Sequence, residues 1–560
     1  MSDAPTWDQA IATLTAEGGP FEMIEREAHG RKTRAYKNTP PSLRHAFAGA
    51  RLHGDKTFLV YEDETWSFDE AMTRVDEIAD ALVHAYDIQP GDRVAIAMRN
   101  YPEWIFCFAA VTSIGAIAVC INAWWKTNEM EYGLEDSGAK LLIADIERVR
   151  TAETALAKLG TRAAVVRHQE ALPEGVDVLS DRLRSDAAMP EVDVEPDMDA
   201  MILYTSGTTG FPKGAVSTHH AVLSALQSFA CRAIAGAMTH PPKDPNPFET
   251  CFILAVPLFH VTGLVPVMLS CFLSGIKLVI MYKWSPERAL VLIERERVTQ
   301  FVGVPTMTID LLESPDFESR DTSSLASVGG GGAPAPPELV SRVDKSFERA
   351  RPGLGYGMTE TNAYGPQNAG DDYVRKPRSS GRAVPVLEVQ IFDENMKPLP
   401  AGEVGEICFR GPNLIRGYWN KPEATAETIV DGWLRSGDLG RLDEEGFIFV
   451  EDRAKDMVLR GGENIYCAEV EAMIYEFADV HEAAVFGMPH DRLGEEVACA
   501  VLAKKGRTID VDALRGHLAE KMASFKVPTI IEVVTQALPR NASGKILKRD
   551  IRDALVARRG

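Results

Sequence analysis

Cysteine is scarce and scattered. The chain has eight in 560 residues, at positions 107, 120, 231, 251, 271, 408, 467 and 499, and no CxxC pair. That spacing offers neither a zinc site nor a disulfide framework, and it fits a reducing cytoplasm. Positive charge is in deficit: 60 Lys and Arg stand against 81 Asp and Glu, a net charge of −21. A general nucleic-acid binder is excluded, because no basic excess exists to neutralise phosphates. The opening MSDAPTWDQA has no basic region and no apolar core, so no signal peptide is expected. Long uncharged runs are few. One extends from Trp104 to Trp125 and is broken by Thr112, Ser113, Gly115 and Asn122. The other extends from Thr250 to Ile276 and is broken by Pro257, His260, Gly263, Pro266 and Gly275. Both are long enough to span a bilayer, but these breaks predict buried helix–strand units and no integral membrane segment. Internal repeats and low-complexity tracts are also missing.

Hydrophobic content of 45% and charged content of 25% are those of an ordinary globular chain. At roughly 100–200 residues per domain, the length predicts about two to four domains. Ser67 and Glu70 form a capping-box pattern ahead of a helical face of Ala71, Val75, Ile78 and Leu82. Short apolar runs follow at Arg93–Met98, Lys140–Asp145, Ala163–Val166 and Lys277–Ile280. Strands alternating with helices predict an α/β fold with largely parallel, doubly wound sheets. A Pro-rich stretch, His240–Thr250, reads as a surface loop. After about residue 380 the texture changes. Leu387–Phe392 and Gly405–Arg410 alternate as antiparallel strands do, and Gly446–Val450 reads as one more. Glu451–Asp456 is then a linker candidate, followed by a smaller α+β segment. From Asp456 onward the charges nearly cancel, with 15 basic and 16 acidic residues. The last 21 residues hold seven Lys and Arg against two acids. This tail is either a solvated terminal helix or a basic lip for an anionic ligand.

Glycine and hydroxyl groups concentrate in YTSGTTGFPKGA, from Tyr204 to Ala215. Such a run is poor helix and poor strand, whereas its glycines, hydroxyls and Lys213 suit a loop that wraps a phosphate chain. It is not a Walker A loop, since Pro212 precedes Lys213 and Gly214 follows it. A dinucleotide fingerprint is missing too: Gly353-x-Gly355 meets Met358 where the third glycine belongs. The plain alternative is a flexible Gly/Thr linker. Val328–Pro334 holds four successive glycines that would let backbone press on a flat ring. Tyr356 would stack on such a ring, and Glu360 offers a hard oxygen for Mg²⁺. Taken singly, each is equally a turn or a core residue.

Taken in order, these stretches resemble the adenylate-forming superfamily, and within it the AMP-forming acyl-CoA synthetases. The resemblance rests on YTSGTTGFPKGA, Val256–Gly263 (VPLFHVTG), GYGMTET at 355–361, Arg435–Gly440 (RSGDLG), Arg453–Asp456 (RAKD), Gly461–Asn464 (GGEN) and Asn541–Lys545 (NASGK). The Asn122–Trp125 and Pro257–Pro266 stretches look like those of bacterial fatty acyl-CoA synthetases. The resemblance implies a large N-terminal core, residues 1–452, of α/β sheets plus a small β-barrel. A hinge at 453–456 and a mobile α+β C-terminal domain at 457–560 would follow.

The implied chemistry has two halves. A carboxylate attacks the α-phosphorus of ATP to give acyl-AMP and pyrophosphate, and the thiol of coenzyme A then displaces AMP. The carboxylate is already ionised at pH 7, so positioning and charge cancellation are what the protein must supply. By resemblance, Thr205, Ser206, Gly207, Thr208, Thr209 and Lys213 would hold phosphates, with Thr359 touching them. Glu360 and Thr205 would ligate Mg²⁺. Gly332, Ala333, Pro334 and Tyr356 would frame the adenine, with Gly355, Gly357 and Met358 beside it. Asp438 would bind the ribose, next to Arg453. Lys545 would bridge the substrate carboxylate and the α-phosphate. His260, Val261, Val304, Val328, Gly329 and Gly355 would wall a roomy acyl tunnel. Lys455 would be the pivot that brings Gly461, Gly462 and Glu463 to coenzyme A. The expected substrate is a medium- to long-chain fatty acid. An aryl acid is the alternative, as is an acyl-AMP ligase that loads a carrier protein. Oligomeric state stays open, a homodimer being one form that relatives take.

Overall fold

The computed structural model describes residues 4–205, 212–241, 245–333, 335–460, 463–542 and 544–559. Two eight-stranded sheets dominate the first two-thirds of the chain. Arg93–Ala97, Ile117–Cys120 and Leu141–Asp145 pair in parallel in the first sheet. Cys251–Leu254, Gln300–Gly303, Ser327–Gly331 and Arg351–Gly355 do so in the second. Parallel strands buried on both faces are continuously apolar, which is why short Val/Ile/Leu/Ala runs mark them in sequence.

The capping box is present. Glu70 N donates to Ser67 Oγ at 3.1 Å and Ser67 N donates to Glu70 Oε2 at 2.8 Å. The helix it starts, Phe68–His84, buries Ala71, Val75, Ile78 and Leu82. Both uncharged runs fold into the core. The first gives the buried helix Pro102–Ser113 and the strand Ile117–Cys120. The second gives the strand Cys251–Leu254 and a helix of wide turns, Gly263–Leu269, that contains Pro266. Among the described residues one helix, His219–Thr239, is long and apolar enough to cross a membrane. Ala221, Val222, Leu223, Ala225, Cys231 and Ala235 of that helix are buried within the protein.

Beyond residue 380 the chain forms a five-stranded antiparallel sheet that includes Glu388–Phe392, Gly405–Arg410, Trp433–Leu442 and Ile448–Arg453. The last of these corrects the linker expected at Glu451–Asp456. The strand runs on through Arg453, and only Ala454–Asp456 turns. The strand continues because its backbone pairs with Trp433–Leu442 as far as Asp438 opposite Arg453.

Residues from Val458 onward have hydrophobic clusters of their own, built on Val485, Val497, Leu514 and Ile474 and on Phe486, Ile551 and Leu555. This smaller part touches the larger one through His481 Nδ1 and Glu313 Oε2, 3.1 Å apart. The basic tail is not a free lip. Arg540 pairs with Glu482, Lys548 with Glu471 and Arg558 with Glu532, at 2.7–2.9 Å. Arg549 pairs with Asp553. The tail spends these cations on holding its own fold.

Candidate active site

Every sequence motif except GGEN at 461–464 brings described residues to one cavity of about 1160 Å³. Its floor is the glycine-rich part of the second sheet. Gly329 stands opposite Gly353, and Gly331 opposite Gly355. Side chains alternate along a strand, so these four share a face and leave that patch of it bare. A Cβ on Gly331 would lie 2.9 Å from the Gly355 carbonyl oxygen, closer than real contacts allow. The long helix His219–Thr239 faces this floor with Leu226, Phe229, Ala230 and Ala233, an i, i+3, i+4, i+7 stripe.

Two expected acyl-wall positions are corrected here. Val328 alternates with Gly329, so it points to the opposite side of the sheet and is 2% exposed. Val304 is also buried and lies against the Lys545 loop: a Cβ on Gly544 would sit 2.9 Å from Val304 Cγ2. Val302, paired with Gly329, takes the wall position. His260, Val261, Gly329 and Gly355 do line the cavity. Burial pushes the His260 imidazole down to a pKa of about 4, so it is neutral at pH 7.

Thr205 and Lys213, expected on the phosphate side, sit on a hairpin. Thr205 ends one strand directly opposite Lys213, and its hydroxyl donates to the Lys213 carbonyl at 3.3 Å. Lys213 Nζ lies 4.9 Å from the centre of the Tyr418 ring. Ser206, Gly207, Thr208 and Thr209, between these strands, lie outside the described residues, as do Pro334, Gly461 and Gly462. Glu360 occupies a short turn, Thr359–Thr361, and is 7% exposed. Its Oε1 accepts from the Tyr418 hydroxyl at 2.7 Å. Burial raises its pKa, opposed by that hydrogen bond. One buried carboxylate on the cavity fits a single contact to a hard cation such as Mg²⁺. Among the described residues no three His, Cys, Asp or Glu gather as a metal cage. A cation here would draw its other oxygens from phosphate and water.

Asp438 and Arg453 are neighbours because their strands pair them in register. Arg453 Nε is 3.3 Å from Asp438 Oδ1, and the Tyr356 hydroxyl donates to Asp438 Oδ2 at 2.7 Å. Tyr356 thus holds Asp438 from behind. Neither Tyr356 nor Ala333 lines the cavity, whereas Gly332, Gly357, Met358 and Thr359 do. Lys455 lines it from the Ala454–Asp456 turn. Glu463 does not; it is exposed in the strand Glu463–Ile465.

Lys545 enters the same cavity from the C-terminal part. Its loop is closed by Lys545 N donating to Asn541 Oδ1 at 2.9 Å and Asn541 N donating to the Lys545 carbonyl at 2.9 Å. Arg540 braces the turn through the Gly544 carbonyl at 2.7 Å. Burial, reinforced by the Arg453 charge, lowers the Lys545 pKa to about 8. The Asp456 and Asp438 charges oppose that shift without cancelling it.

The model of the AMP-binding enzyme family matches residues 46–419, and that of the AMP-binding enzyme C-terminal domain matches 469–545. The chain belongs to the AMP-binding enzyme family. It is therefore an adenylate-forming enzyme of the acyl-CoA synthetase kind. A feruloyl-CoA synthase from an Amycolatopsis species is 36% identical over 90% of this chain and 96% of its own. A long-chain-fatty-acid–CoA ligase of Mycobacterium tuberculosis is 34% identical over 86% of this chain and 91% of its own. The ATP-bound crystal structure of MatB from Rhodopseudomonas palustris superposes with a TM-score of 0.79 at 30% identity, over 91% of this chain and 98% of that one. Within the enzyme, sequence reading missed Tyr418, Val302 and the helix stripe. None lies in a motif, and only strand register and helix placement bring them to the site.

Proposed function

We infer that the enzyme, an acid–thiol ligase by family, joins a medium- to long-chain fatty acid to coenzyme A through an acyl-AMP intermediate. The observation that carries the reading is Lys545, drawn into the cavity beside Asp438 and Arg453. In the first half-reaction a carboxylate oxygen forms a bond to the α-phosphorus while the bond to the β-phosphate oxygen breaks, and pyrophosphate leaves. Lys545 holds the two anions together, and Lys213 and Thr205 neutralise and orient the departing phosphates. Asp438, fixed by Tyr356 and Arg453, takes the ribose hydroxyls. Glu360 would hold Mg²⁺, which would supply charge neutralisation on the triphosphate. In the second half-reaction the coenzyme A sulfur bonds to the acyl carbon, AMP departs with the mixed-anhydride oxygen, and the thiol proton goes to solvent. Lys545 occupies the space this requires, so the part beyond the Ala454–Asp456 turn swings away about Lys455 and presents the Gly461–Glu463 face.

The acid's length is argued from the floor. The cavity follows the strand from Gly331 back to Ser327, about 13 Å at roughly 3.3 Å per residue. A straight apolar chain fits between bare glycine backbone and the Leu226–Ala233 stripe. The feruloyl relative keeps an aryl acid as the second reading. All eight cysteines are buried thiols, which fits a reducing cytoplasm. The test incubates the protein with ATP, Mg²⁺, coenzyme A and a panel from butanoate to palmitate plus ferulate. Mass spectrometry then scores thioester, and AMP against ADP. A fatty thioester with AMP supports the reading, a feruloyl thioester alone moves it to aryl acids, and ADP sinks it.

A further inference from the structure

The far end of the acyl channel differs from the rest. Its near half is floored by Gly329, Gly331, Gly353 and Gly355, and Gln367 stands opposite Gly355 at the edge of that floor. At the other end of the same strands the floor becomes Gln300 and Ser327, which stand opposite each other in register. Ser274 lines the cavity from the helix Ser270–Ser274. The Gln300 amide and the Ser327 and Ser274 hydroxyls make no side-chain hydrogen bond among the described residues. All three side chains can both donate and accept. The cation next in register, Arg351, opposite Ser327, is bound to Asp344 at 2.8 Å.

Resting on the acyl-CoA ligase reading, we propose that Gln300 and Ser327 form a recognition station for a neutral oxygen at the tail of the acid, so that the preferred substrate is an ω-hydroxy or ω-oxo fatty acid. A plain alkyl end leaves the amide and hydroxyls to whatever water can enter, whereas a hydroxyl or carbonyl oxygen satisfies them directly. Among the described residues a tail carboxylate finds no free cation there and is disfavoured. The distance sets the size: the station lies about 13 Å along the strand from Gly331, beyond the reach of a short acid.

The test measures kcat/KM for dodecanoate, ω-hydroxydodecanoate and dodecanedioate in the wild-type protein and in the Gln300→Leu/Ser327→Ala variant. Two neutral hydrogen bonds at a half-buried site predict that the hydroxy acid exceeds dodecanoate by about tenfold, with the diacid poorest. In the variant the ratio falls to one or below. A ratio is read, so a variant of lower overall activity still reports. Equal use of the hydroxy and plain acids by the wild type overturns the inference and leaves the ligase reading standing, as does a preference that survives in the variant. No AMP or thioester from any acid overturns both.

Discussion

Lys545 should make adenylation sensitive to alkaline pH well below the range of an ordinary lysine. A free lysine titrates near 10.4. Burial in the cavity, with Arg453 as a like-charged neighbour, brings Lys545 to about 8. The ammonium is the active form, and it is the form lost as pH rises. In the free enzyme about 90% is charged at pH 7 and about 10% at pH 9. kcat/KM for acid-dependent ATP–pyrophosphate exchange should therefore fall about tenfold per pH unit above 8. Binding of ATP and a carboxylate surrounds the ammonium with negative charge and raises its pKa, so the limb in kcat should lie higher than the limb in kcat/KM. Arginine stays charged throughout this range. Lys545→Arg should be slower because the shape is wrong, yet should lack the alkaline limb. A wild-type kcat/KM that stays flat to pH 10 refutes the argument, and so does a limb that persists unchanged in Lys545→Arg.

Other perturbations separate the parts of the site. Gly544 has φ +84° and no room for a Cβ against Val304; Gly544→Ala should strain the Lys545 loop by about 1–2 kcal/mol. Its signature is slowed acyl-AMP formation with conversion of supplied acyl-AMP to thioester retained, measured as separate half-reactions. Tyr356→Phe removes the hydroxyl that holds Asp438. The KM for ATP should rise about fivefold, the worth of roughly 1 kcal/mol, with little change in KM for the acid. At Gly329 a Cβ meets only ordinary contacts, the nearest at 3.4 Å, so Gly329→Val should fold and block the channel. The preferred acid should shift to shorter chains on the same substrate panel.

Motifs located the charged residues of the cavity better than its apolar walls. Lys213, Glu360, Asp438, Arg453 and Lys545 lie far apart in sequence, yet each sits in a short stretch whose pattern marks it, and the fold brings all of them to one cavity. The channel walls were only half legible. Gly329 and Gly355 lie on the open face, but Val304 and Val328 do not. A strand turns every second residue away, and one residue of phase decides between lining a channel and filling a core. That phase is fixed by pairing with strands distant in sequence, such as Val302 beside Gly329. The charge-rich tail was ambiguous for a related reason. Arg540 and Lys548 find Glu482 and Glu471 only once the C-terminal sheet and helices are assembled. The linker was placed a few residues early because Glu451–Arg453 reads as polar surface, although its backbone is still paired in the sheet.

The central claim is that Lys545 brings acid and ATP together for AMP-forming activation. The most direct measurement follows pyrophosphate and AMP release from wild type and Lys545→Ala, with the acid that works best and coenzyme A present. The account predicts acid-dependent AMP and thioester in equal amounts from the wild type. It predicts an adenylation rate lower by about 10²–10³ in the variant. Release of ADP, or a variant that forms acyl-AMP at the wild-type rate, would contradict it.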